Sequence, residues 1–178
     1  MRTGTMMTAA AVVLAGLCVC PTHAQTARSS ALTCGIRQYA SHSDDSESPF
    51  GKGDLSYFLA YEYHEARAYW QVGVSYTPHA TATSMVTNVE SVTTPQVRLI
   101  FEEGMLIMGI GVLKHYIQQG DANHWSDLYW ELEAGFQTSA SASLGIRAVA
   151  YYTFREWGDI GDFDTSQLEL GLEVSYRF

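Results

Sequence analysis

The sequence predicts an all-β protein: an eight-stranded antiparallel up-and-down transmembrane β-barrel with a polar, side-chain-filled interior. Three observations carry that expectation. Eight segments alternate apolar and polar residues with period two. The connections between them alternate long and short. Aromatic residues gather at both ends of the segments. Twelve per cent aromatics, with eleven Tyr against four Pro, suits such a chain.

The segments run near 32–41, 53–64, 67–77, 95–103, 105–117, 125–137, 143–154 and 167–178. Each is close to the ~9–11 residues a tilted transmembrane strand needs. The first is the weakest, with Leu32, Cys34, Ile36 and Ala40 on its apolar face. The second presents Tyr57, Leu59, Tyr61 and Tyr63, the third Trp70, Val72, Val74 and Tyr76. The fourth offers Val97, Leu99 and Phe101, and the fifth Leu106, Met108, Ile110 and Val112. The sixth offers Leu128, Trp130, Leu132, Ala134 and Phe136. The seventh offers Leu144, Ile146, Ala148, Ala150, Tyr152 and Phe154. The last, LELGLEVSYRF, places Leu168, Leu170, Leu172, Val174, Tyr176 and Phe178 on one face.

The first, third, fifth and seventh connections are long and polar: SHSDDSESPFGK, PHATATSMVTNVESVTT, QGDANH and REWGDIGDFDTS. The other three are short, around Glu65-Ala66, Glu103-Gly104 and Ser139-Ala140. Short periplasmic turns alternating with longer extracellular loops are the pattern of an outer-membrane barrel. An even strand number leaves both termini periplasmic, and an open edge is not viable in lipid, so the sheet must close. On that orientation Tyr63, Trp70, Phe101, Phe136 and Tyr176 form a periplasmic girdle. Tyr57, Tyr76, Tyr116, Tyr152 and Phe154 form an extracellular one.

The opposite faces collect Arg37, Arg67, Arg98, Arg147 and Arg177 with Glu62, Glu102, Glu131, Glu133, Glu169 and Glu173. His64, Gln71, Tyr129 and several glycines share them. An eight-stranded barrel has an interior just wide enough for side chains to fill. The expected network of Arg37, Glu62, Arg98, Glu131, Glu133, Arg147, Glu169, Glu173 and Arg177 is therefore a plug of paired charges rather than an ion path or a carboxylate site.

Ahead of the barrel, residues 1–24 read as a cleaved secretory signal peptide. Arg2 precedes the apolar run MMTAAAVVLAGLCVC, and Thr22-His23-Ala24 is a small-x-small cleavage site. The run is shorter than the ~20 residues of a spanning helix. Residues 25–31 are expected to be a short periplasmic segment, and 32–178 the barrel. Cleavage would leave Cys34 alone, with no intramolecular disulfide. A net charge of −9 argues against nucleic-acid partners.

No motif calls for a cofactor. His64-Glu65 lacks the second His of HExxH, and Gly109-Ile110-Gly111 lies in a strand, not at a helix start. Asp159, Asp162 and Asp164 in GDIGDFDT are the best candidate metal ligands, for a hard cation such as Ca²⁺. Their spacing matches no known calcium loop, and a solvated acidic loop is the preferred reading, as for Asp44, Asp45 and Glu47. Lys114, on an outward face, is placed to meet lipid phosphates.

With its strands, its front end and Tyr176-Arg177-Phe178, the chain resembles the small eight-stranded outer-membrane β-barrels of Gram-negative bacteria, over nearly all of 32–178. The resemblance implies lipid and lipopolysaccharide as surroundings and a structural or surface-interaction role. It also implies that Val174, Tyr176 and Phe178 act as a signal for the outer-membrane assembly machinery. The alternative is a lipid-modifying enzyme. GIRAVAYY, Gly145 to Tyr152, is similar to the penultimate strand of the lipid A 3-O-deacylase barrels, whose His and Ser would fall at Ala150 and Tyr152. Neither residue replaces the base or the nucleophile, so the resemblance implies the barrel without the activity.

Overall fold

The computed structural model describes residues 29–39, 49–81, 89–120, 122–163 and 168–178. The expected signal segment 1–24, residues 25–28, and Asp44, Asp45, Glu47 and Asp164 lie outside them. Eight strands close into one antiparallel barrel in sequence order. They are β1 (Ser29–Tyr39), β2 (Leu55–Glu65), β3 (Ala68–Pro78) and β4 (Ser91–Glu103). β5 (Leu106–Gln118), β6 (His124–Ser139), β7 (Leu144–Phe154) and β8 (Leu168–Arg177) follow. β1 pairs with both β2 and β8, which removes the sheet edges.

Two strands begin more than two residues away from where they were expected. β1 begins at Ser29, so 29–31 belong to the wall rather than to a leading segment; Ala31 pairs with Arg177 and Glu62. β4 begins at Ser91, four residues before the expected start at Pro95. Upstream of Pro95 the outward position Thr93 is polar and the inward Val92 apolar, so the alternation of apolar outward residues stops there. In the barrel the ladder to β5 merely skips Thr94 and Pro95, while pairing with β3 continues through both.

Alternation sorts the side chains as expected. Outward residues such as Leu59, Val72, Phe101, Met108, Phe136 and Leu170 are half or more exposed. They form an apolar wall that Tyr63, Trp70 and Tyr176 border at the short-turn end and Tyr57 and Tyr76 at the long-loop end. Cys34 lies on this wall. The turn between β4 and β5 is made by Gly104-Met105, where a φ of +64° suits glycine.

Two expectations about faces are corrected. Arg67 does not enter the barrel: it occupies the turn between β2 and β3, and its side chain is 82% exposed beside Glu103. A two-residue turn has no inner face, so alternation does not extend into it. The interior is also less uniformly polar than the charged residues alone suggested. Tyr69, Ile100, Ile107, Val149 and Tyr151 form a buried apolar cluster within it.

Candidate functional site

The inward positions of β1, β2, β4, β6, β7 and β8 bring their charged side chains to one interior network. Its densest point is Glu62, fully buried on β2. Arg147 on β7 donates to both of its oxygens, at 2.5 Å to Oε1 and 2.9 Å to Oε2. Thr33 and Gln71 donate to Oε1 at 2.6 and 2.8 Å. The His64 ring nitrogen Nε2 lies 2.9 Å from Oε2. A bidentate guanidinium with further donors is the arrangement that compensates a buried carboxylate.

A second centre lies between Arg37 and Arg98. Arg37 pairs with Glu131 at 2.6 Å and with Glu169, and also donates to Thr153. Arg98 pairs with Glu131 at 2.9 Å and Glu133 at 3.0 Å. Glu173 joins the two centres, 3.6 Å from both Arg98 and Arg147, and accepts a hydrogen bond from Tyr151 Oη at 2.5 Å. Arg37 and Arg98 both lie over the Tyr151 ring, 4.3 and 4.8 Å from its centroid. Arg177 joins the network at its short-turn end, 3.9 Å from Glu102 and 3.4 Å from Nδ1 of His64, whose other ring nitrogen meets Glu62.

Above this network the long-loop end carries an apolar stopper that the sequence pattern did not reveal. Phe50, from the segment preceding β2, stacks on Tyr39 at 3.9 Å and meets the His115 ring edge-on at 5.0 Å. Ala80, Val89, Val92 and Ile117 complete the cluster. Asp54 clasps two loops together. It accepts from the Gly51 N–H at 2.8 Å, the Thr81 N–H at 2.7 Å and the Thr81 hydroxyl at 2.7 Å. The one available signal was Pro49-Phe50, an apolar pair in an otherwise polar connection.

The chemistry this arrangement supports is structural. Charged side chains tie opposite walls across the lumen, and an aromatic stopper lies at one end. Among the described residues no group of three His, Cys, Asp or Glu is arranged to hold a metal. Of the candidate acidic loop, Asp159 serves its own backbone: its carboxylate accepts from the Glu156 N–H at 2.9 Å. The side chain of Asp162 and all of Asp164 lie outside the described residues.

The outer wall holds the other unexpected feature. Tyr152 and Phe154 lie on the outer face by alternation but are only 5% and 4% exposed. A short 3-10 helix, Trp157–Asp162, and Phe163 after it fold back over them. Tyr152 is thus a covered wall residue, not a lipid-facing girdle residue, and Ala150 beside it is partly covered. Val174, Tyr176 and Phe178 are exposed on the outer wall, and the Phe178 N–H donates to the Ser30 carbonyl at 2.9 Å. Lys114 is also outward, 6.0 Å from the Trp125 ring.

No family model and no curated protein matches the chain. Solved structures do. The crystal structure of Neisserial surface protein A aligns with a TM-score of 0.52 and 12% identity, over 85% of this chain and 97% of that one. The Yersinia pestis outer membrane protein Ail in a phospholipid bilayer nanodisc aligns at 0.47 and 14%, over 84% and 99%. A crystal structure of Yersinia pestis Ail aligns at 0.44 and 15%, over 85% and 97%. The likeness to the Neisserial protein establishes a shared fold, the small closed barrel.

Proposed function

We propose that this protein is an integral barrel of a Gram-negative outer membrane, with both termini periplasmic and the long loops at the cell surface. Its role there is structural or interactive, and it is not an open pore. The outer wall carries the reading. A continuous face of Leu, Val, Ile, Met, Phe and Tyr, many of them half exposed, suits acyl chains and not water. Aromatic residues border it at both ends, as at headgroup level. Outer-leaflet lipid and lipopolysaccharide are its surroundings, and the assembly machinery is its partner during insertion. The loops are the surface open to a ligand.

The filled lumen supports the reading that the protein is not a pore. Arg147 to Glu62, Arg37 to Glu131 and Arg98 to Glu173 cross the lumen, and Phe50 stops its long-loop end. Water-filled channels belong to barrels of about sixteen strands. Two experiments test the proposal. Cell fractionation should place the protein in the outer membrane as a heat-modifiable species on gels. Planar-bilayer recordings should give no stable, large conductance steps. Recovery in a soluble fraction overturns the membrane assignment, and stable large steps overturn the closed lumen.

A further inference from the structure

Elsewhere on the outer wall, alternation predicts exposure well. Leu59, Val72 and Leu170 are 56%, 55% and 59% exposed. Tyr152 and Phe154 depart from this because chain covers them. Trp157 meets Phe154 edge-on at 5.3 Å and the Trp130 ring at 5.2 Å. Phe163 lies against Tyr152 at 4.6 Å. Tyr152 is two residues deeper along β7 than Phe154, roughly 6–7 Å of strand. The segment from Trp157 to Phe163 therefore runs down the outside of the barrel. The segment around Phe50, in contrast, tucks into the mouth.

A bulge anchors its start. Between Lys114–Tyr116 on β5 and Leu128–Trp125 on β6 the register shifts, with the additional residue on β6. The Ser126 hydroxyl accepts the His115 N–H there at 2.9 Å. Asp127, exposed at the bulge, pairs with Arg155, two residues before the helix. The segment thus has an ion pair at its top and aromatic contacts below. Trp157 and Phe163 themselves remain 51% and 53% exposed. Leu128 and Trp125 on β6 and Leu170 on β8 extend the same apolar surface around it.

We propose that Trp157–Phe163 is an interfacial foot: it lies in the headgroup–acyl boundary of the outer leaflet and presents Trp157 and Phe163 to lipid. This rests on the outer-membrane assignment. Continuity with the apolar wall selects lipid as the occupant, since the foot replaces two girdle residues with two others. Amphipathic rings at that depth have one apolar side and one wet side. The exposed carboxylates of Glu156 and Asp159 supply the polar side of the segment.

The test uses protein purified from membranes and reconstituted into phosphatidylcholine vesicles, with and without bromine on the acyl chains. One variant keeps Trp157 alone (Trp70→Phe, Trp125→Phe, Trp130→Phe), and another keeps Trp70 alone. Trp70 lies on the bare wall and reports insertion of the barrel. Bromine is expected to quench Trp157 to an extent comparable with Trp70, with a blue-shifted emission. Quenched Trp70 with unquenched, red-shifted Trp157 overturns the foot and leaves the membrane assignment standing. If neither is quenched, both fall. Should the triple replacements not fold, wild type and Trp157→Phe give the same answer: the foot requires that the single change remove part of the bromine-quenched emission.

Discussion

Arg147 on β7 and Glu62 on β2 form a two-pronged ion pair through the middle of the barrel, with N–O distances of 2.5 and 2.9 Å. Their strands are not neighbours in the sheet, since β1 and β8 lie between them. The pair therefore ties separate parts of the wall through the lumen. Breaking one half leaves a buried charge without its counterpart. Glu62→Leu or Arg147→Met alone should cost about 3–5 kcal/mol of stability, and the double variant should recover much of it. Urea unfolding of the reconstituted protein measures this. Additive losses in the double variant would show that the two groups are not coupled.

Asp54 holds the Phe50 segment to Thr81, accepting two hydrogen bonds from Thr81 and one from Gly51. Asp54→Ala leaves the Thr81 and Gly51 donors without that acceptor. Opening of the segment should become easier by about 1–3 kcal/mol. Exposed Lys52 then supplies a site for trypsin on an opened chain. Added outside intact cells, trypsin should cut the variant faster than the wild type at that position. Equal cleavage would mean that stacking on Tyr39 holds the segment by itself.

Gly171 faces the Tyr151 ring. A Cβ there would lie 2.7 Å from Tyr151 Cε2. Tyr151 sits between Arg37 and Arg98 and donates to Glu173, so it has little freedom to move aside. Gly171→Val should destabilise the barrel by about 1–3 kcal/mol through overpacking. Adding Tyr151→Ala should relieve the clash. If the variant melts with the wild type, the ring has room elsewhere.

The Val174, Tyr176 and Phe178 row is expected to serve assembly. Deleting Phe178 also removes its N–H bond to Ser30, which seals β8 against β1. The deletion should lower the amount of heat-modifiable protein in the outer membrane. Refolding of the purified deletion variant into detergent separates the two effects. Normal refolding with poor assembly in cells points to recognition. Unchanged cellular levels would argue against the role.

The eight strands, their faces and most of the lumen network were legible in the sequence because each depends on local alternation. A residue two positions from another on an unbulged strand shares its face. Arg37, Arg98, Glu131, Glu133, Glu169 and Glu173 were all placed inside on that ground, and all are buried there. The same rule misplaced Arg67, where the strand had already become a turn. It also underrated Ile100, Ile107 and Val149, apolar residues on inward positions that a search for charge passes over.

Periodicity by itself determined that this chain is a closed barrel with an oily outside and a charged inside. That is a property of neighbours along the chain, together with the need of every strand edge to be paired. Tertiary structure decided who meets whom: Arg147 with Glu62, Phe50 with Tyr39, and Trp157 and Phe163 with a wall that alternation had left bare. Those contacts join residues remote in sequence. They depend on barrel register and on where a loop turns, and no local pattern encodes either.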